Sequence, residues 1–432
     1  MLSVEDNELL TRVGRGQPMG NLLRRFWHPV LLSSELPRPD CPPVRVRLMG
    51  ERLVAFRDTN GRVGLLAEAC PHRRASLFFG RNEEDGLRCI YHGWKYDIDG
   101  QCVDMPSEPA GSNFASKVRT TSYPCRETNG VVFAYLGPPE LQPELPGIEW
   151  IGLPEGHVYV TKRYEFANWV QGLEGGIDSC HSNYLHTTVP AFRRTDGFFD
   201  SLRSRLQFDS RLVEYFISDL SPRFYLRDTD YGVMIGTQRD AEEDSFYWRI
   251  THWLLPHANI FGGVRADGET RLGRGLIWSA VDDYTTAVFS VSWALESPLT
   301  ESERDACEAF SGAVVPGTFM PVQTMANDYL IDRERQATET FTGIESLQAQ
   351  DLAAQEGMGS IVDRTEEHLG SSDSAIIRVR RALIRAARDL MEGTEPPQAA
   401  RPASYKLRTV DLIRPRAEGF DGEAIEELCK LG

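Results

Sequence analysis

The chain has no apolar stretch that approaches the ~20 residues of a membrane-spanning helix. Its opening segment, MLSVEDNELL, lacks both the basic start and the apolar run of a secretory signal. We therefore expect a cytoplasmic protein with reduced thiols. Cysteine is scarce as well, and 8 cysteines in 432 residues exclude a disulfide-built scaffold. Any cysteine with a special role is then expected to bind a metal or to carry out redox chemistry.

Positive charge is in deficit, because 47 Lys and Arg residues face 63 Asp and Glu residues and leave a net charge of -16. Nucleic-acid binding needs a basic face that neutralises phosphates, and docking on an anionic membrane needs one too. We therefore expect neither a nucleic acid nor a membrane as a partner. The chain is also longer than the roughly 250–300 residues that one hydrophobic core supports, which predicts more than one domain.

The hydrophobic pattern changes in type along the chain. Between residues 40 and 140, short apolar runs separated by Asn-Gly and Asp-Gly turns predict a small all-β domain. Later, residues 204–295 are mostly strand-like and residues 322–392 mostly helical, which favours an antiparallel sheet covered by helices. The predicted α+β chain divides into an N-terminal segment (1–39), an all-β domain (40–146) and a larger α+β domain (147–432).

Two short motifs in the all-β region predict a metal cluster. They are Cys70-Pro-His72 and Cys89-Ile-Tyr-His92. Each motif places one thiolate and one imidazole on one loop tip, and two such tips can hold a two-metal cluster between them. Thiolates on one iron and imidazoles on the other define a Rieske 2Fe-2S centre. A zinc site is the alternative, although zinc sites usually pair Cys with Cys and His with His in sequence.

A second polar constellation lies in an otherwise apolar segment. Its members recur at steps of three and four: Asn168, Gln171, Glu174, Asp178 and His181. On a helix they would form one polar stripe, which predicts a polar site inside the fold. His181 and His186 are out of phase on a regular helix, so both reach one ion only if the helix bulges or ends between them. Two imidazoles and one carboxylate on one face are typical of non-haem Fe(II) oxygenases.

The remaining carboxylate ligand must come from far along the chain. Asp351 is flanked by apolar residues at near-helical spacing and is expected to point inward. A buried lone carboxylate is costly unless it is paired or bound to a metal. We predict Asp351 as the third ligand of the mononuclear iron, with Glu356 as the alternative. Asp363 and Arg364 are expected to form a structural ion pair.

These motifs carry a family resemblance. The segments CPHR and CIYHGWKYD resemble the Rieske domain of ring-hydroxylating oxygenases, and the flanking sequence is similar to the phthalate 4,5-dioxygenase-like oxygenase components. The resemblance implies one 2Fe-2S cluster and one Fe(II) per chain. It also implies that His181, His186 and Asp351 hold the mononuclear iron. In the implied trimer, or stacked trimers, Asp178 meets His92 of the partner subunit.

The same resemblance implies a function. A flavin and iron–sulfur reductase would pass electrons through the Rieske cluster to the iron, which would activate O2 to hydroxylate a small, carboxylated aromatic substrate. An O-demethylating monooxygenase of methoxyaromatic acids is the first alternative. An electron-transfer Rieske protein is the second, but it would need no second iron. A zinc-stabilised binding module is the third, and it would lack the red-brown colour of an iron–sulfur protein.

Some residues of the cavity are also predicted. We expect Asn168 and Gln171 to face the cavity beside Asp178 and to tune the approach to the iron without binding it. A substrate carboxylate needs a planar, bidentate cation, and the candidates are Arg193, Arg194 and Arg239.

Overall fold

The computed structural model describes residues 1–109, 111–187, 210–262 and 272–431. In these ranges an all-β N-terminal region precedes a large antiparallel sheet with helices packed against it, which confirms the predicted α+β fold class. No helix in the described ranges combines the length and the apolarity that a membrane crossing requires.

The N-terminal region begins with helices α1 (Val4–Thr11) and α2 (Pro18–Leu23). Its strands are β1 (Trp27–Leu32), β2 (Val44–Leu48), β3 (Glu51–Arg57), β4 (Val63–Ala67), β5 (Arg81–Glu83), β6 (Gly86–Arg88), β7 (Lys95–Tyr96), β8 (Cys102–Asp104), β9 (Ser122–Tyr123), β10 (Cys125–Thr128) and β11 (Val131–Tyr135). They pair in the orders β1-β11-β10, β2-β3-β4-β9 and β5-β6-β7-β8. Because β1 pairs with β11, residues before position 40 share a sheet with the end of the β region.

The meander of β2, β3 and β4 has an apolar face on which the two Cys–His loops pack. A tight turn at Met49 and Gly50 joins β2 to β3, and both residues have positive φ angles, of 46° and 79°. Such a turn matches the right-handed twist of an antiparallel pair. Val54, Phe56 and Leu66 then point to the same side and form a buried cluster together with Cys70 and Cys89. The sheet therefore supports the loops that carry the two Cys–His motifs.

The second region is built on one large sheet. Its strands are β12 (Val158–Glu165), β13 (Arg223–Asp228), β14 (Gly232–Asp240), β15 (Ser245–Leu254), β16 (Ala258–Gly262), β17 (Gly273–Ala280), β18 (Thr286–Trp293) and β19 (Asp411–Pro415). The sheet order is β12-β18-β17-β16-β15-β14-β13, and β19 pairs with β15. Every residue of β17 and β18 is buried, because both faces of these central strands are covered.

The helices of the second region are α3 (Trp169–Ile177), α4 (Ser182–Leu185), α5 (Ser210–Ser218), α6 (Glu301–Ser311), α7 (Arg333–Thr338), α8 (Leu347–Gly357), α9 (Ser374–Met391) and α10 (Gly422–Cys429). Short 3-10 helices span Ser33–Glu35, Leu77–Phe79, Ala115–Lys117, Pro139–Leu141, Glu149–Gly152, Met325–Leu330, Ser371–Asp373 and Pro402–Tyr405. Helix α3 lies against β16 and β17, and α8 contacts α3. The two segments with predicted iron ligands are therefore neighbours.

Helix α9 joins the two ends of the chain. Its apolar face, with Val379, Leu383 and Ala387, is buried, and it packs against α1, α2 and α3. The resulting core also contains Leu10 from α1 and Leu173 from α3. Burying each leucine contributes about 1.5–3 kcal/mol. This core fixes α3, and with it the start of the segment that leads to His181.

Candidate metal centres and cavity

The first pair of motifs forms two matching loops. In the first loop the Cys70 N–H donates to the Ala75 carbonyl (2.8 Å), and the Arg74 N–H donates to the Cys70 carbonyl (2.9 Å). Arg74 has a φ of 65°. The second loop repeats both bonds and the left-handed position with Cys89, Trp94 and Gly93. The same two backbone hydrogen bonds therefore close both tips.

The side chains of these loops lie in two like pairs, one of thiols and one of imidazoles. The Cys70 and Cys89 thiols are buried, and burial together with the neighbouring Cys70 thiol raises the pKa of Cys89. The His72 and His92 rings are half-exposed, with centroids 4.4 Å apart. The Nδ1 atom of His92 is shielded from water and has no hydrogen-bond partner among the described residues. Two thiols on one side and two imidazoles on the other fit a Rieske cluster.

The second constellation lies where a helix stops. Helix α3 ends at Ile177, and Asp178 is its C-cap with φ −77° and ψ 115°. A new, one-turn helix then runs from Ser182 to Leu185, with His181 before it and His186 after it. The prediction that the helix bulges or ends between the two histidines is wrong: the helix ends before His181, and a separate helical turn lies between His181 and His186. The His181 and His186 rings consequently lie with their centroids 5.2 Å apart.

Asp351 on α8 completes a group of three. One ligand atom each from His181, His186 and Asp351 can be chosen so that all lie within 4.8 Å of one another. The Asp351 Oδ1 atom is 3.6 Å from His181 Nε2 and 3.3 Å from His186 Nε2. Burial lowers the pKa of His181, but the carboxylates of Asp178 and Asp351 outweigh this effect and raise it. Two imidazoles and one carboxylate in this arrangement fit a non-haem iron.

Glu356, the alternative ligand, is engaged elsewhere. Its Oε1 atom accepts a hydrogen bond from the Phe166 N–H (2.9 Å), and its Oε2 atom accepts one from the Tyr329 hydroxyl (2.5 Å). Both carboxylate oxygens thus tie α8 to the end of β12 and to a neighbouring turn. The structure places Asp351, and not Glu356, with the two histidines.

A residue that the sequence analysis missed orients His186. The Nδ1 atom of His186 donates to the Gln350 side-chain oxygen (2.7 Å), and the Gln350 amide donates in turn to the Ile344 carbonyl (2.7 Å). Such a bond fixes the tautomer and the ring orientation of a metal-binding histidine. It leaves Nε2 to face Asp351. The only sequence signal for Gln350 is its position next to Asp351.

Asp178 lies between the backbone of the turn and the His181 ring. Its Oδ1 atom accepts a hydrogen bond from the Cys180 N–H (2.7 Å), and its Oδ2 atom is 3.5 Å from His181 Nδ1. Burial raises the pKa of Asp178, but the His181 ring and nearby backbone N–H groups lower it further, so the net shift is downward. The group is therefore a carboxylate at neutral pH.

The prediction that Asn168 and Gln171 face the cavity is wrong. Asn168 caps α3 and donates to the Thr11 and Asp283 carbonyls (2.9 and 2.8 Å). Gln171 donates to the Gln355 and Gly359 carbonyls (both 2.9 Å). Neither lines the cavity. The polar stripe faces neighbouring chain segments, because the N-terminal helices and the end of α8 cover that side of α3.

The predicted ion pair between Asp363 and Arg364 is also wrong. Arg364 is fully buried and donates to Glu174 on α3 (3.1 Å), whereas Asp363 accepts from Thr365. Arg380 on α9 makes a second pair of bonds to Glu174 (2.6 and 2.8 Å). Removing one partner from a buried pair costs about 3–5 kcal/mol. Glu174, the third polar residue of the stripe, therefore links α3 to α9.

Glycines let α3 come close to its neighbours. A Cβ atom on Gly176 would lie 2.2 Å from Cη2 of Trp278, and one on Gly175 would lie 2.3 Å from Nε2 of Gln355. Helical glycine costs about 1 kcal/mol in propensity. Any larger side chain at Gly175 or Gly176 would clash with Gln355 or Trp278, so glycine is needed at both positions despite its low helix propensity.

The three grouped residues open into a cavity of about 190 Å³. Its apolar wall is formed by Leu212, Phe216, Phe261, Leu276, Phe310 and Leu347. Its polar wall includes Arg163, Glu165, Tyr247, Arg249, Arg274 and Asp411. Burial raises the pKa of Glu165 to about 7, although the charge of Arg163 opposes the shift. The cavity thus combines a flat apolar space with cations.

Of the three predicted carboxylate-binding arginines, the one that the structure describes does not supply those cations. Arg193 and Arg194 lie outside the described residues. Arg239 is fully buried and does not line the cavity. Arg249, which the sequence analysis missed, does line it, and its guanidinium lies over the rings of Phe216 (4.9 Å) and Phe261 (5.7 Å). A charged residue in the middle of an apolar strand was the available signal.

The chain matches two known families in sequence. Residues 26–124 match the Rieske [2Fe-2S] domain, and residues 134–417 match the family described as LigXa C-terminal domain like. The chain is 38% identical to the 3-chlorobenzoate-3,4-dioxygenase oxygenase subunit of Comamonas testosteroni, over 92% of this chain and 91% of that protein. It is 39% identical to the phthalate 4,5-dioxygenase oxygenase subunit of Pseudomonas putida, over 89% and 86%.

A demethylase subunit and solved structures are similar too. The chain is 32% identical to the 5,5'-dehydrodivanillate O-demethylase oxygenase subunit of Sphingobium sp., over 99% of this chain and 91% of that protein. The structure of Pseudomonas putida CBB5 NdmA with caffeine matches with a TM-score of 0.60 at 19% identity, over 93% of this chain and 100% of that chain. Dicamba monooxygenase bound to dicamba matches with a TM-score of 0.56 at 18% identity, over 86% and 98%. These structural likenesses concern the fold.

Proposed function

The chain belongs to the Rieske oxygenases as an oxygenase component, and from this premise we propose that it oxygenates carboxylated aromatic substrates at an iron held by His181, His186 and Asp351. It is an enzyme that accepts electrons from a reductase and acts on an aromatic compound. When bound, the 2Fe-2S cluster supplies single electrons and the mononuclear iron supplies the activation of O2. We assign Cys70, His72, Cys89 and His92 to the cluster.

One observation carries the substrate proposal: the cavity into which the three grouped residues open also contains Arg249. The apolar wall accepts an aromatic ring. The Arg249 guanidinium, supported by two phenylalanine rings, is oriented before a ligand arrives and matches the bidentate geometry of a carboxylate. Away from bulk water such a charge pair is stronger than it would be in solution. Arg249 would therefore bind the acid group and orient the ring toward the iron.

Substrate turnover and binding test this proposal directly. Benzoate-type acids should be bound and oxygenated, and their methyl esters and amides should be much poorer substrates. Arg249→Met should raise KM for the acids by about 10–100-fold, since a charged hydrogen bond contributes about 1.5–3 kcal/mol. Arg385→Met, at an exposed site on α9, is the matched control and should leave KM unchanged. Equal use of acids and esters by the wild-type enzyme would contradict the proposal.

O-demethylation is the second candidate reaction, and the similarity to the dehydrodivanillate O-demethylase subunit over nearly the whole chain favours it. The same three iron-binding residues serve both reactions. A methoxybenzoate and the unsubstituted benzoate distinguish them. Formaldehyde release from the methoxy acid indicates demethylation, whereas a dihydrodiol from benzoate indicates dioxygenation.

We propose a head-to-tail trimer in which the Rieske loops of one protomer face the iron site of the next. Ile90 and Tyr91, which lie between Cys89 and His92 in the second loop, are 62% and 54% exposed. Next to the iron site, Tyr184 and Phe341 form an exposed aromatic pair with centroids 6.2 Å apart. Exposed apolar groups gathered at two sites are typical of interaction surfaces.

The variant Ile90→Asp tests this arrangement. It should yield monomers, as measured by light scattering, and these monomers should retain the Rieske EPR signal. Trimers of this variant would contradict the arrangement.

The electron donor and the compartment follow from chemistry. A Rieske cluster takes one electron at a time, whereas a nicotinamide gives up a hydride, so we propose a flavin and iron–sulfur reductase that splits the pair. None of the eight cysteines, all of them among the described residues, forms a disulfide, which supports a reducing, cytoplasmic location. Reduction of the cluster by NADH alone, at the rate seen with such a reductase, would exclude the need for a flavin.

A further inference from the structure

A single guanidinium holds the turn that carries Asp178 and His181. Arg239, on β14, is fully buried, and its Nη2 atom donates to the Ser179 carbonyl (2.8 Å). The same atom lies 3.2 Å from the Ser179 hydroxyl and 3.2 Å from the Asn183 side-chain oxygen. Ser179 precedes His181 and Asn183 follows it. One cation therefore binds the chain on both sides of the proposed iron ligand.

The contacts of Arg239 continue into a third element. The Asn183 amide donates to the Phe216 carbonyl (2.6 Å), and the Phe216 ring lies 4.3 Å from the Arg239 guanidinium. Phe216 belongs to α5 and lines the cavity. One closed set of contacts therefore joins β14, α4 and α5. It consists of Arg239, Asn183 and Phe216, and we call it the turn clamp.

The turn needs such support because it is not helical. Helix α3 has ended at Ile177, so the Ser179 carbonyl cannot rely on a helix hydrogen bond. A buried backbone carbonyl without a partner costs about 1–3 kcal/mol. Arg239 supplies that partner from β14, a strand that is paired on both sides.

The turn clamp contains a buried charge at a place where an apolar side chain would cost less free energy to bury. Among the described residues, the Nε and Nη1 atoms of Arg239 have no hydrogen-bond partner, and Arg239 does not line the cavity. Burial lowers its pKa to about 10. A buried cation without a counter-ion is destabilising. The hydrogen bonds of this cation to Ser179 and Asn183 hold the turn in position and account for this cost in stability.

We propose that Arg239 is a positioning residue for the mononuclear iron site, setting the place of His181 relative to Asp178 and Asp351. This rests on the proposed assignment of His181 as an iron ligand. Residues that orient metal ligands typically affect metal affinity by 10–100-fold. We therefore expect Arg239→Met, which keeps the approximate volume and removes the donors, to weaken metal binding at this site by 10–100-fold.

The experiment is a Co(II) titration of protein from which the mononuclear iron has been removed and in which the cluster is retained. The visible absorption of bound Co(II) reports affinity and coordination geometry independently of turnover. Arg239→Lys should restore most of the affinity, because its ammonium can donate to the same oxygens. Arg385→Met, at the exposed site on α9, is the matched control and should keep wild-type Co(II) affinity. Wild-type affinity in Arg239→Met would overturn the proposal.

Two further variants keep the result interpretable. His181→Ala should abolish Co(II) binding at this site, and if it binds normally, the ligand assignment fails instead of the clamp. Asn183→Ala removes one acceptor of the clamp and should weaken Co(II) binding by a smaller factor of about 3–10. If Arg239→Met does not fold, Asn183→Ala decides: wild-type affinity in that variant overturns the clamp. Near-UV circular dichroism and thermal unfolding of the whole chain serve as the check on folding in each variant.

Discussion

The two candidate metal centres are held in place by different means. In the Rieske loops, each tip is closed by a pair of backbone hydrogen bonds that begins at its own cysteine, Cys70 or Cys89. In the mononuclear site, the ligands come from α4 and α8, and side chains such as Gln350 hold them in position. The first site is therefore sensitive to backbone strain, and the second is sensitive to side-chain identity far from the metal.

The largest expected effect separates the two centres completely. Asp351→Ala should lose the mononuclear iron and all oxygenation, and it should keep the Rieske EPR signal, because the two ligand sets share no residue. Metal analysis with a labile-sulfide assay measures both. Glu356→Gln is the control and should retain its iron, since that carboxylate binds Phe166 and Tyr329. Full activity in Asp351→Ala would move the ligand assignment elsewhere.

The next prediction tests whether the centres communicate through Asp178. Asp178→Asn should keep both metal groups but slow the reoxidation of the cluster by at least about tenfold. An amide has a similar size, but it loses charge-assisted bonds, which are roughly twice as strong as neutral ones. Single-turnover stopped-flow with substrate and O2, after an iron assay, gives the rate. Normal reoxidation would exclude the bridge to His92 of the partner subunit, and loss of iron would mean that Asp178 mainly orients His181.

A third variant tests the side-chain support of the second centre. Gln350→Leu removes the acceptor of the His186 Nδ1 bond, so iron affinity at this site should fall by about 10–100-fold. The Rieske potential should not change. A Co(II) titration and a redox titration of the cluster give the two values. Unchanged affinity would mean that packing alone orients the His186 ring.

The reciprocal test strains the backbone of a Rieske loop. Gly93 has a φ of 77°, and an added Cβ would lie 2.7 Å from Cγ of Pro106. Gly93→Ala should destabilise the cluster loop by about 1–2 kcal/mol and speed the loss of the cluster to a chelator. Arg74→Gly, at the matching left-handed position, should have little effect, because relief of strain offsets the added freedom of the unfolded chain. Similar cluster lifetimes in both variants would contradict the backbone argument.

The last prediction concerns the pH dependence of stability through the cavity carboxyl Glu165, whose pKa burial raises to about 7 from 4.5. Below pH 4.5 it is protonated in the folded and unfolded chain alike. Between pH 4.5 and 7 mainly the unfolded chain ionises, so stability is lost as pH rises, by up to about 3 kcal/mol. Glu165→Gln should flatten this part of the pH profile in chemical denaturation. An unchanged slope would mean that Arg163 keeps Glu165 ionised.

The sequence identified the parts of each site that are local. Cys70, His72, Cys89 and His92 are recognisable because two-residue and three-residue spacings correspond to single loop tips. His181 and His186 were recognisable for the same reason. Asp351 was within reach because a carboxylate in an apolar pattern implies a partner. The fold class followed from the change between strand-like and helical patterns along the chain.

The remaining features depend on contacts that no local pattern encodes. Asn168 and Gln171 lie on a polar stripe of α3, but a stripe that faces another chain segment has the same period as one that faces a cavity. Arg239 and Arg249 lie on adjacent strands, yet one binds a turn and the other lines the cavity. Which task each arginine has depends on the direction of its strand and on what α4 and α5 place above it.

The position of Asp411 on β19 has a consequence for the order in which the enzyme is made. Both Cys–His loops can close once Trp94 has left the ribosome, because its carbonyl closes the second loop, and they need only nearby strands for support. The cavity, in contrast, takes one wall residue, Asp411, from β19 near the far end of the chain. Asp411 lies opposite Arg249 in the register of β19 and β15. The nascent chain can therefore acquire its cluster early, whereas the iron and its substrate cavity are completed only at the end of synthesis.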